Sequence, residues 1–437
     1  MTNPVPEDQQ ALPHTEAGAT DAAAGSDPDF DVVLLGTDIG IYALARAFRE
    51  RYGIKSTIIS RVVAGPIADS QFIETIELGE TAERQDTLNE LEAQGRKRKR
   101  ANPDRPVLLL SNADSFSRML SDQEEWLSQW YVVPAVTKNV LDMVADKIEF
   151  DRVCAELGIP TPRTLIQDFS GADDPQWAPR DVDLTFPVVA KPAVGAAYEG
   201  LRFEGKNKIY KVDSAAELVE IFERVKGAGF RDRFVVQELI PGDDTAMRSI
   251  TAYVDGSGEV TLLATAQVLL QEHQPLAIGN PAAMITTAYP ELMDQAGRFL
   301  QHVGYRGFAN FDVKLDPRDG VMKFFEMNPR IGRNNFYVTA AGANVAEFIT
   351  TDLIQGEPHE QVVVRNEILY CVLPMFLLRR YLDADQKDLV KRVARKGVFH
   401  PLVTKDSFKR KMYVAAAKAN YVRKYARYYP KQTESGF

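Results

Sequence analysis

The residues with the strongest chemical signature lie in one stretch, Gly307 to Arg330, where Asp312, Glu326, Asn328 and Arg330 are set among apolar neighbours. Phe308–Leu315 and Val321–Met327 read as two strands, and Asp316-Pro-Arg-Asp-Gly320 between them is turn chemistry, so a hairpin is expected. With the turn centred near Arg318 and Asp319, Asp312 lies opposite Glu326. Side chains alternate along a strand, so Asn328 shares the face of Glu326. An unpaired carboxylate inside an apolar strand is costly, and a metal or a cationic partner is what makes such placement sensible. Two carboxylates and an amide oxygen are hard ligands that suit Mg²⁺, which completes its shell with water and nucleotide phosphates.

The elements that must hold this hairpin can be read along the chain. At 437 residues, 45% hydrophobic and 26% charged, the composition is that of a globular protein of two or three domains. Residues 1–29 are polar and Ala/Pro/Asp-rich; they are expected to be disordered and to hold no signal peptide. The longest apolar run, Ile368–Leu378, contains Pro374 and is too short to cross a bilayer. Cys154 and Cys371 sit in apolar surroundings without zinc spacing and read as buried thiols of a reducing cytoplasm.

Asp31–Leu35, Ile54–Ser60 and Val107–Ser111 alternate with helical patterns, which predicts an open parallel sheet over residues 30–134. Such sheets bind ligands at the carboxyl ends of their strands, where Gly36, Asp38 and Asn112-Ala-Asp114 fall. Gly36 and Gly40 form G-x-x-x-G rather than a dinucleotide fingerprint, which argues against a dehydrogenase; a structural turn or the wall of a small-substrate pocket fits better. Arg96-Lys-Arg-Lys-Arg100 has no interleaved aromatics and reads as a solvated face, with no nucleic acid as partner. Lys147 follows Asp146 within an amphipathic stretch. Lys191 ends an apolar strand that asks for an anion, and Ala193–Gly200 with Lys206 and Lys208 could close over phosphates. Phe234–Glu238 is a strand whose edge could read adenine, followed by Asp243, Asp244 and Arg248.

Together these features resemble the ATP-grasp carboxylate–amine ligases over about residues 135–355. The resemblance rests on Val136-Thr-Lys-Asn139 with Asp146-Lys147, Gln237-Glu-Leu-Ile-Pro-Gly-Asp-Asp244, Met247-Arg248, Gly307-Phe-Ala-Asn-Phe-Asp312, Asp316-Pro-Arg-Asp-Gly320 and Asn328-Pro-Arg330-Ile-Gly-Arg333. It implies an ATP-grasp fold of mixed α/β and α+β character, with a Rossmann-like parallel-sheet domain (30–134), two lobes (135–236 and 237–360) and a basic helical extension (361–437). It also implies ATP and one or two Mg²⁺, or Mn²⁺, as cofactors. Asp312, Glu326 and Asn328 would hold the metal, with Asp312 standing where many relatives carry Glu. Lys147, Lys191 and Lys208 would meet phosphates, Gln237, Glu238, Leu239 and Ile240 adenine, and Asp244 ribose. Arg330 and Arg248 would be catalytic, while Arg333, Gly36 and Asp38 would bind substrate.

The closest motifs within the family imply an amino acid, D-aspartate, joined to the lysine amine of a cell-wall precursor by a cytoplasmic enzyme, as a homodimer in many relatives. A ligase for another pair of substrates, or a nucleotide sensor or kinase without the amide step, remains the competing class. The tail is electrostatically separate: from residue 361 on there are 17 Lys/Arg against six Asp/Glu in a chain of net charge −9. Phe408, Met412, Tyr413, Tyr421, Tyr425 and Tyr428 are interspersed with its cations. That pattern fits a basic helix packed on the core by an aromatic stripe, or attraction to an anionic membrane surface or precursor.

Overall fold

The computed structural model describes residues 29–433 apart from 135, 194–197, 199, 208 and 275–276. The expected disordered segment to residue 28, Lys208 and most of the Ala193–Gly200 loop therefore lie outside the described residues. The first sheet holds β1 (Asp31–Leu35), β2 (Ser56–Ser60), β3 (Ile73–Glu77) and β4 (Val107–Ser111), all parallel, in the order β3-β2-β1-β4. The near-continuous apolar runs of β1 and β4 are what a parallel strand covered on both faces requires. The charged edge strand β3, Ile-Glu-Thr-Ile-Glu, escapes that signal because half of it faces water.

A small antiparallel sheet follows, made of β5 (Thr164–Asp168), β6 (Val188–Pro192), β7 (Tyr210–Val212) and β8 (Arg233–Glu238) in the order β5-β8-β6-β7. Its core is aromatic, with Phe169, Phe222, Phe230 and Phe234 buried together. The expected lobe boundary at residue 236 falls within β8. The helices Lys138–Ala145 and Lys147–Glu156, assigned in sequence to that lobe, bury Leu141, Phe150 and Val153 against the third sheet instead.

The third sheet has eight strands. They are β9 (Met247–Val254), β10 (Val260–Gln271), β11 (Pro281–Thr286), β12 (Gly307–Leu315), β13 (Met322–Asn328), β14 (Val362–Val363), β15 (Leu369–Cys371) and β16 (Val398–Phe399). Their order is β13-β12-β9-β10-β11-β15-β16, with β14 beside β10. The segment from residue 361 is thus more than a helical extension: it gives three short strands to this sheet before its long helix, Phe408–Tyr428. One face of the sheet packs on the helices Lys147–Glu156 and Pro290–His302 through Ile250, Phe311, Val313 and Phe324. The other meets the helix Ile39–Tyr52 of the first domain, the turn after β13 and the long C-terminal helix. A methyl group on Gly40 would sit 2.8 Å from the Arg333 backbone, so only glycine lets the first domain approach the hairpin exit this closely.

Candidate active site

The hairpin forms as its turn chemistry requires, but its decisive pairing depends on an irregularity. From the turn outward, Leu315–Met322, Lys314–Lys323 and Val313–Phe324 pair in step. That register would set Asp312 against Phe325. A bulge at Phe325 advances β13 by one residue and brings Glu326 opposite Asp312, with Asn310 opposite Asn328. The two carboxyl groups hydrogen-bond each other, and Asn328 Nδ2 donates to Asp312 Oδ2 at 3.3 Å. Removal from water and then the Glu326 charge push the Asp312 carboxyl up to about 7, against the pull of Arg330. Arg330 Nη2 donates to Asn328 Oδ1 at 3.1 Å, and its Nε to Asp114 Oδ1 at 2.9 Å. Asp114 opens the helix that follows β4, so the carboxyl end of the parallel sheet reaches the hairpin exit.

Two adjacent carboxylates carry one charge more than this setting tolerates, and a divalent cation is the partner that would relieve it. The donor set of Asp312, Glu326 and the Asn328 amide oxygen fits hard Mg²⁺. Among the described residues no group of three or more His, Cys, Asp and Glu side chains forms a metal cage. The remaining positions of such a cation therefore fall to ligand oxygens and water.

Two contacts bring the small sheet over the hairpin. Lys191, buried on β6, places its ammonium 5.8 Å from the ring centroid of Phe325, the bulge residue. Glu238, at the end of β8, pairs with Arg318 Nη1 at 2.7 Å in the hairpin turn. Lys147 opens its helix behind the N-cap Asp146 and reaches Ala193 O at 3.5 Å, where the Ala193–Gly200 loop begins. Gln237 donates to Thr164 Oγ1 at 3.0 Å, Leu239 is half-buried and Ile240 buried. Lys191 and the end of β8 thus lie against the β12–β13 hairpin.

Three expectations change. Arg248 does not join this cluster. In β9 it is Ser249 that pairs with Asp312, and alternation sends Arg248 to the opposite face of the sheet. There it is 6% exposed, donates to Thr245 O at 2.8 Å and Met247 O at 2.9 Å, and lies 5.1 Å from the Tyr289 ring centroid. This position removes it from the reacting groups. Asp244 is also buried, its Oδ2 taken by Gln271 N at 2.7 Å and His273 Nε2 at 2.8 Å, which leaves its side chain a structural role rather than a ribose contact. Arg333, Gly36 and Asp38 do come together, yet Arg333 is held between Asp38 Oδ2 at 3.5 Å and Glu272 Oε1 at 2.8 Å. Asp38 itself caps the helix Ile39–Tyr52 through Gly40 N and Ile41 N and accepts from Asn112. That cluster ties the first domain to the large sheet.

The contacts around these residues that were not foreseen are those of Asp114, Arg318 and Glu272. Asp114 had a signal, its place at the carboxyl end of a parallel strand. Arg318 was read only as turn, and Glu272 carries no local signature at all.

Residues 146–350 match the family model described as the carbamoyl-phosphate synthase L chain, ATP binding domain. D-aspartate ligase of Enterococcus faecium (strain Aus0004) is 29% identical over 412 residues, 92% of this chain and 97% of that protein. The arginine-specific carbamoyl phosphate synthase large chain of Geobacillus stearothermophilus is 22% identical over 259 residues, 56% of this chain and 22% of that one. In fold, the chain is similar to N5-carboxyaminoimidazole synthetase from Staphylococcus aureus complexed with ADP, with TM-score 0.54, 12% identity and coverage of 79% and 82%. The L-amino acid ligase from Bacillus licheniformis gives TM-score 0.50, 16% identity and 75% coverage of both chains.

Proposed function

We propose that the protein is an ATP-grasp ligase, an ATP-dependent enzyme that forms C–N bonds, and that it joins D-aspartate to the lysine side-chain amine of a peptidoglycan precursor. The observation that carries the reading is the Asp312–Glu326 pair with Asn328 and Arg330, seated in a chain that aligns with D-aspartate ligase along nearly its whole length. A carboxylate of the amino acid attacks the γ-phosphate of ATP and releases ADP, giving an acyl phosphate. The amine then attacks the acyl carbon and phosphate leaves with its bridging oxygen as the amide forms.

Phosphoryl transfer of this kind asks the protein for positioning and charge neutralisation rather than for covalent chemistry. Bound Mg²⁺ would neutralise the β- and γ-phosphate oxygens. Asp312, Glu326 and Asn328 would supply its protein oxygens, and Lys147 and Lys191 would balance the remaining phosphate charge. Gln237 to Ile240 frame the base at the end of β8. Arg330, braced by Asp114 and Asn328, presents its guanidinium to the oxygen that gains charge as the acyl carbon becomes tetrahedral. The small sheet, drawn down by Glu238–Arg318, excludes water that would hydrolyse the acyl phosphate.

The test is phosphate release with ATP, Mg²⁺ and a lysine-containing cell-wall nucleotide pentapeptide, run with D-Asp, L-Asp, D-Ser, Gly and no amino acid, and with Glu326→Gln as blank. Release with D-Asp alone and a product heavier by one aspartyl residue is the expected outcome. Release with a different amino acid keeps the ligase and replaces the substrate. Tight nucleotide binding without release in any arm overturns the proposal.

A further inference from the structure

The long C-terminal helix, Phe408–Tyr428, has two unlike faces. Arg410, Val414, Tyr421 and Tyr425 are buried on the inner one. Tyr421 donates to Glu272 Oε1 at 3.2 Å, and Arg410 to Gly65 O at 2.6 Å and Ala68 O at 3.1 Å. Just past the helix end, Tyr429 stacks on His273 with ring centroids 3.5 Å apart. The helix is therefore anchored at both ends, and its outward face is determined.

That outer face displays Phe408 and Met412, one turn apart and 75% and 59% exposed. Exposed Ala415, Ala416 and Ala419 continue it. At the far end, about 30 Å along the helix, Tyr428 turns to the inner side beside Glu272, Tyr421 and Tyr425, while Phe376 stands 67% exposed on a short helix whose Arg380 donates to Pro430 O at 3.0 Å. The helix carries seven Lys and Arg and no Asp or Glu, and of the seven only Arg410 is buried.

We propose that this outer face docks the protein on an anionic phospholipid surface. Large apolar side chains beside a row of cations are what a helix lying in the headgroup region presents: Phe408 and Met412 enter the boundary, while Lys411, Arg423 and Arg427 meet lipid phosphates and Lys409 pairs with Asp69 at 3.3 Å. Charge decides against a second copy of the helix as occupant, because pairing would set cations on cations. The whole chain carries net charge −9, so the attraction belongs to this face and orients the molecule. Among the described residues no helix is long and apolar enough to cross a membrane.

The test is co-sedimentation of the full-length protein with vesicles of phosphatidylcholine alone, or with about one-third phosphatidylglycerol, at about 0.1 M and 0.5 M NaCl. Binding at least about tenfold tighter to the anionic vesicles, lost at the higher salt, is expected. Phe408→Ser with Met412→Ser weakens it about tenfold and leaves ATP-dependent phosphate release unchanged. Lys411→Glu with Arg427→Glu removes the preference for anionic lipid. Equal binding to both vesicles, or none at low salt, overturns the proposal. So does a dimer in light scattering that the Phe408/Met412 double variant dissolves, since the face then belongs to a second copy.

Discussion

Asp312 and Asp316 lie four residues apart in one hairpin and are treated in opposite ways. Asp316 is fully buried, yet it accepts from Arg318 N at 3.0 Å, Arg318 Nε at 2.8 Å and Lys323 Nζ at 2.6 Å. Those cations hold its carboxyl well below the usual carboxylate range. Asp312 faces another carboxylate and is pushed up to about 7. The turn acid has its counter-charge built into the chain, while the strand acid has been left short of one. A buried charge without an internal partner is costly unless a ligand completes it, so the contrast separates an acid that holds the fold from an acid that awaits a cation.

The largest effect expected is on catalysis at the strand acids. Glu326→Gln or Asp312→Asn lowers turnover by about 10³-fold or more, measured as ADP release, while the metal-free protein melts at the same temperature or higher. Asp316→Asn does the reverse. It removes the buried acceptor that Lys323 and Arg318 share, leaving them Asp319 and Glu238, costs about 1–3 kcal/mol in denaturant unfolding, and leaves residual turnover well above that of Glu326→Gln. If Glu326→Gln unfolded the protein and Asp316→Asn did not, the contrast would fail.

The pH response sharpens it. The Asp312 carboxyl is raised in the fold from 3.8 to about 7, so its contribution to stability is complete below about pH 4 and is lost as pH climbs to about 7. Metal-free wild type should therefore lose about 1–3 kcal/mol relative to Asp312→Asn between these limits. Mg²⁺ with ATP should remove the difference. Asp316, whose carboxyl is depressed, contributes above the ordinary carboxylate range and loses that contribution as pH falls below it. Thermal melts from pH 3 to 8 with and without Mg·ATP read both slopes.

Two smaller effects test the surroundings of the hairpin. Arg248→Gln, on the far face of the sheet, should cost about 1–3 kcal/mol in stability through the lost bonds to Thr245 and Met247 and leave the amino-acid KM unchanged. A rise in that KM with stability intact would return Arg248 to the site. Arg318→Ala removes the Glu238 link, worth about 0.5–1 kcal/mol, together with side-chain bonds that hold Asp316; it should cost about 2–3 kcal/mol in stability and raise the KM for ATP only a few-fold.

Much of the local structure was legible before any coordinate. Asp312, Glu326 and Asn328 follow from strand periodicity and a turn signal, because a hairpin pairs residues that are close in sequence. Asp38 and Asp146 stand directly before helices, where their side chains cap backbone N–H groups. The parallel sheet was visible in β1, β2 and β4, and β3 was missed because an edge strand alternates charged and apolar residues like a loop. The three strands after residue 361 are two or three residues long, too short for any periodicity to register.

By itself, then, the sequence determined the hairpin and the place of Asp312, Glu326 and Asn328 on it, since these depend on turn chemistry and local alternation. Tertiary structure decided which of these act together. It placed Phe325 as the bulge that sets Glu326 against Asp312, turned Arg248 away through the register of β9 on β12, and supplied Arg330 with Asp114 from 216 residues earlier in the chain. It also closed Arg333 between Asp38 and Glu272. Those outcomes depend on strand pairing and domain contact across long sequence separations, where no local pattern records which partner a charged side chain will meet.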